Sequence, residues 1–109
     1  MSDTKKGTAE LEKFGCAVMR GAYKTWEFRE GVRASAHFAF IDGSLTHLPS
    51  GRMLPYTQCE TIKESKRRAA MLEALPFIDW SSKTPTSLEL DAEQLGALRE
   101  ASMGEVANG

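Results

Sequence analysis
The chain has 109 residues, 41% of them hydrophobic and 27% charged, a size that bounds one domain over 1–109 with a single modest core. Its 14 lysines and arginines nearly balance 15 aspartates and glutamates, and the net charge of −1 excludes the strong field of a dedicated polyanion binder or an acidic nucleic-acid mimic. Two cysteines, Cys16 and Cys59, are too few for a disulfide framework and form no CxxC pair.

Met1–Gly7 is polar and is expected to fray. From Thr8 to Arg20, Leu11, Phe14 and Val18 recur at helical spacing, and Gly21 suits a left-handed stop. Gly15 weakens that helix, and Cys16–Tyr23 also reads as extended. Lys24–Arg29 alternates apolar with polar residues and predicts a half-buried strand.

Val32–Ile41 and Ser44–Leu48 flank Asp42-Gly43, the strongest short-range hairpin signal in the chain. A two-residue loop pairs Ile41 with Ser44, Phe40 with Leu45, Ala39 with Thr46 and Phe38 with His47. Opposed residues share a face, so Phe38, Phe40, Leu45 and His47 form the aromatic face assigned to the core, with His37, Ala39 and Ile41 opposite. A three-residue loop at Arg29–Gly31 sets Phe28 against Val32 and Trp26 against Ala34. That register brings Trp26 and Phe28 onto the Phe38/Phe40 face. It also separates the imidazoles of His37 and His47.

Pro49–Arg52 is a turn, and Met53–Thr57 suits a short fourth strand that Pro55 confines to an edge. Thr57 and Glu60 spell a capping box for a helix through Leu75, with Ile62, Ser65, Ala69, Leu72 and Leu75 as its inward stripe. Phe77–Trp80 is a short apolar strand or strap. After a turn-rich connector, Asp91 and Gln94 cap a last helix, Ala92–Met103, with Leu95 and Leu98 as its apolar face. The tail Glu105–Gly109 is expected to be disordered. The expected fold is therefore α+β: a three- to four-stranded antiparallel meander, a main helix at about 58–75 on one face, and helices at both termini.

No catalytic signature emerges. Neither histidine has zinc-ligand spacing to a cysteine, and no glycine-rich phosphate loop is present. No cofactor or metal is implied. No apolar run is long enough to cross a membrane and no signal-peptide core follows Met1, so the expected setting is cytoplasmic. The leading expectation is a small non-enzymatic binding protein that docks a protein partner through Met53, Tyr56, Phe77 and Trp80, the apolar excess over one small core. Its size suits an accessory or inhibitor protein of a bacterial or phage mobile element, of the anti-defence or anti-CRISPR type. A homodimer through the sheet edge is a further expectation. The alternative is nucleic-acid or acidic-partner contact through Lys63, Lys66, Arg67 and Arg68 on the main helix. A second alternative is a thiol enzyme using Cys59, placed in the first helical turn where the dipole lowers a thiol pKa.

Overall fold
The computed structural model describes residues 11–83 and 90–105 and is α+β. Five antiparallel strands follow one another in space as in sequence: β1 (Glu12–Arg20), β2 (Tyr23–Arg33), β3 (Phe38–Ile41), β4 (Ser44–His47) and β5 (Arg52–Met53). Two helices follow, α1 (Ile62–Glu73) and α2 (Ala92–Met103). The antiparallel meander, the main helix and the C-terminal helix are as expected. The expected fraying of 1–7 and the disorder expected beyond Glu105 lie outside the described residues.

The N-terminal helix is a strand. β1 pairs along its whole length with β2, from Glu12 opposite Gly31 to Arg20 opposite Tyr23. Gly21, with φ 64, opens a two-residue hairpin turn with Ala22 and caps no helix. A glycine at the first central position matches the right-handed twist of paired strands. The spacing that suggested a helix, Phe14 to Val18, is also two pleats of a strand. Phe14 and Cys16 are buried, and Val18 packs beside them.

The three-residue loop at Arg29–Gly31 does not form, because β2 runs straight through it. Val32 pairs with Phe40 and Arg33 with Ala39, and the chain reverses over Ala34–His37 instead. Gly31 serves close approach rather than turning: a Cβ there would meet Ile41 and the Phe40 carbonyl. With the loop moved, the four rings part company. Phe38 is fully buried and Phe40 packs against the same cluster, whereas Trp26 is 54% and Phe28 69% exposed.

The β3–β4 register is the one the Asp42-Gly43 turn dictates, residue for residue. Both of its faces are buried, not one. Phe38 and Leu45 join Ala69, Leu72, Trp80 and Ala101 in a cluster beneath the helices. Ala39 and Ile41 pack on the other side against Phe14 and Cys16 of β1, because the β1–β2 ribbon curls under the hairpin. The curl nearly closes the sheet into a barrel: the Ala17 N–H donates to the Gly51 carbonyl at 2.8 Å, joining β1 to the β4–β5 turn. The short strand expected at Met53–Thr57 is reduced to Arg52–Met53, and β1 lies against part of its edge.

Thr57 is not the cap of α1. The repeat TxxE occurs twice, and the second copy is used: Thr61 accepts from the Glu64 backbone N–H at 3.0 Å. Thr57 is fully buried, its hydroxyl accepting from Leu45 N–H at 3.0 Å and donating to the Leu54 carbonyl at 2.8 Å. The inward stripe of α1 is as read, with Ser65, Ala69 and Leu72 buried. In α2 the reciprocal cap of Asp91 and Gln94 is formed and Gly104, at φ 74, ends the helix. Phe77–Trp80 is a strap and not a strand.

Candidate functional site
A cleft of about 1260 Å³ opens where the sheet nearly closes, between the β1–β2 ribbon, the β4–β5 turn, the strap and α2. Trp26 forms one wall. Its indole lies over Gly15 and Gly51, where any Cβ would overlap the ring, and it shows its outer surface to solvent. Met53, 58% exposed, Tyr56, 56% exposed, and Leu95, 40% exposed, line the cleft as well.

Tyr56 is the unusual residue here. It holds φ at 65, a conformation that costs a non-glycine residue roughly 1–2 kcal/mol. Its neighbour Thr57 is pinned by two hydrogen bonds, and the Arg99 guanidinium lies over the tyrosine ring at 5.9 Å from the centroid. The chain thus keeps a large ring in a strained position with more than half its surface exposed.

Both histidines are held by hydrogen bonds. His47 is 1% exposed. Its Nε2–H donates to the Trp80 carbonyl at 2.6 Å, so in the neutral ring Nδ1 is the acceptor that faces the Ser50 hydroxyl at 2.8 Å. Burial pushes its pKa below the ordinary 6.5, against the opposing pull of the Trp80 carbonyl. His37 donates from Nδ1 to Glu73 at 2.8 Å, and the same carboxylate accepts from Ser35 at 2.6 Å. Burial alone would raise the Glu73 pKa, but the Ser35 and His37 bonds together hold it low. The expected placement of the two imidazoles on opposite sheet faces fails, since His37 lies in the bend after β2, where strand alternation has stopped, and turns to α1. No group of three His, Cys, Asp or Glu among the described residues is arranged to hold a metal ion.

Cys59 precedes α1 rather than sitting in its first turn. Burial raises its thiol pKa, with Arg68 acting the other way. Cys16 is raised by burial too. Cys59 thus lacks the first-turn position from which a helix dipole would lower its pKa. On the basic run, Arg67 and Arg68 both bind the Glu64 carboxylate, at 2.8 and 2.7 Å, and reach the Gly104 and Gln58 carbonyls. These bonds hold the Glu64 pKa down at about 2. Lys63 and Lys66 are exposed.

Of the four residues expected to meet a partner, Met53 and Tyr56 stand at the cleft mouth. Trp80 is 7% exposed; its ring edge meets Phe38 at 4.9 Å and its indole N–H donates to the Leu72 carbonyl at 2.7 Å. It is a core residue that shows only a margin to the cleft floor. Phe77 is half-buried and lies outside the cleft. Sequence reasoning missed Trp26, Leu95, Arg52 and Arg99. For Trp26 the signal existed in the Gly21-Ala22 turn, which sets the β1–β2 register; for the others the juxtaposition is made only by the fold. Among the described residues no helix is long and apolar enough to cross a membrane. Comparison with protein-family models, curated proteins and solved structures finds no match to this chain.

Proposed function
We propose that the protein is a small binding module that acts without catalysis, docking a protein partner across the cleft mouth at Met53 and Tyr56. The observation that carries this reading is Tyr56, an exposed ring held in left-handed backbone. Strain of this kind persists only where surrounding structure enforces it, and it concentrates at functional positions. Exposed Trp26, Met53 and Leu95 around it supply the apolar anchors that partner surfaces use. An accessory or inhibitor role in a reducing, cytoplasmic setting is the biological form of this proposal that the chain's small size and its free thiols suit. Nucleic-acid contact through the α1 run has less support, because Arg67 and Arg68 already serve Glu64.

The test is capture from a lysate of the source organism with the wild-type chain, Met53→Ala and Tyr56→Ala as baits. The expected result is one partner, recovered at least several-fold less with either variant while both variants melt cooperatively. A partner retained in full by both variants, or no partner above a denatured bait, overturns the reading.

A further inference from the structure
The charges of this chain are sorted in space. Every ion pair among the described residues lies away from the cleft: Glu27 with Arg20 and Arg29, Asp42 with Arg29, Glu12 with Arg33, Glu73 with His37, and Glu64 with Arg67 and Arg68. Among the described residues, the cleft lining holds four cations, Lys24, Arg52, Lys83 and Arg99, and no carboxylate. None of the four forms an ion pair among the described residues. Of the seven lysines and arginines that form no ion pair among the described residues, four line this one concavity, and Lys13, Lys63 and Lys66 lie elsewhere. Like charges brought together over an apolar floor repel, and low-dielectric walls focus their field into the opening.

Between the cations the walls are aliphatic and aromatic: Trp26, Met53, Leu54, Leu95 and Leu98. A ligand that satisfies both must carry anionic groups beside apolar ones. A lone phosphate would leave the apolar walls wet. A single-stranded nucleic acid would stack on Trp26, but one face of Tyr56 is taken by Arg99, and the aliphatic walls contribute little to base recognition. The volume, about 1260 Å³, exceeds the roughly 300–1,000 Å³ of small-molecule pockets and suits several residues of chain.

We infer that the cleft binds an acidic segment of a partner protein, in which Asp or Glu side chains meet Lys24, Arg52, Lys83 and Arg99 while interspersed apolar side chains fill the surface between Trp26 and Leu95. This rests on the binding reading above and names the chemistry of the partner.

The test titrates the full chain into three fluorescein-labelled probes and follows anisotropy. They are a twelve-residue peptide of alternating glutamate and leucine, its lysine–leucine counterpart, and a twelve-nucleotide oligo-dT. The acidic peptide is expected to saturate, at least tenfold more tightly than the lysine peptide and than oligo-dT, and to weaken as salt rises. The double variant Arg52→Glu/Arg99→Glu is expected to lose at least tenfold with an unchanged circular dichroism spectrum. Lys24→Glu, on a different element, is expected to lose several-fold and serves if the double variant does not fold. Equal binding of both peptides, tighter binding of oligo-dT, no saturation by about 1 mM acidic peptide, or full binding by a folded charge variant each overturns the inference. A captured partner that Tyr56→Ala releases and Arg52→Glu/Arg99→Glu retains would leave the binding reading standing and remove this one.

Discussion

At the residue scale, the telling side chains are those whose local cost is visible. Tyr56 at φ 65 predicts that Tyr56→Gly relieves backbone strain and stabilises the fold by up to about 1 kcal/mol in urea melts, while partner recovery drops. A variant that is destabilised and still binds would contradict both halves. His47 carries a pH dependence. Its folded-state pKa lies below 6.5, burial being the main cause, so the unfolded chain takes up the proton first. Stability is full above about pH 6.5 and declines as pH falls below it, toward the folded-state value. Melts from pH 8 to 5 should show this slope in the wild type and lose it in His47→Gln. His37 and Glu73, the titratable neighbours, are common to both chains and cancel in the comparison.

At the element scale, two threonines in the same TxxE setting do different work, and they separate capping from core support. Thr61→Ala removes the bond to Glu64 N–H and should cost about 1 kcal/mol, the usual worth of an N-cap. Thr57→Ala leaves the buried Leu45 N–H without its acceptor and should cost more, roughly 1–3 kcal/mol. Paired urea titrations decide the order; a larger loss from Thr61→Ala would return the cap to prominence and the buried hydroxyl to insignificance. Each copy of the motif satisfies the same local rule, so the motif alone does not place the helix start. Only the burial of Thr57 between β4 and the β5 turn distinguishes them. The same holds for β1, where Phe14 and Val18 fit a period of 3.6 about as well as a period of 2.

At the scale of the whole molecule, function and fold meet where the sheet nearly closes. Gly51, at φ 72, accepts from Ala17 N–H and lies under the Trp26 indole. Gly51→Ala should strain the turn by roughly 1–2 kcal/mol and displace the ring. The expected readout is a lower melting temperature together with a red shift of tryptophan emission, which Trp26→Phe abolishes because Trp80 stays buried. An unshifted spectrum would mean that the closure does not hold Trp26. Because the cleft spans four separate parts of the chain, a loss of closure should also weaken binding more than any single rim substitution.

Local rules in the chain determined the Asp42-Gly43 hairpin and its register, the inward stripe of α1 and the capped α2. Each of these is governed by turn chemistry, side-chain periodicity or capping, which act within a few residues. Tertiary structure alone decided the curl of β1–β2 under the hairpin, the burial of both hairpin faces, and the outward position of Trp26 and Phe28. It also took Trp80 into the core and drew Lys24, Arg52, Lys83 and Arg99 around one opening. The physical reason is that pairing partners and burial depend on which distant segments compete for the same surface, and no short stretch of sequence carries that information.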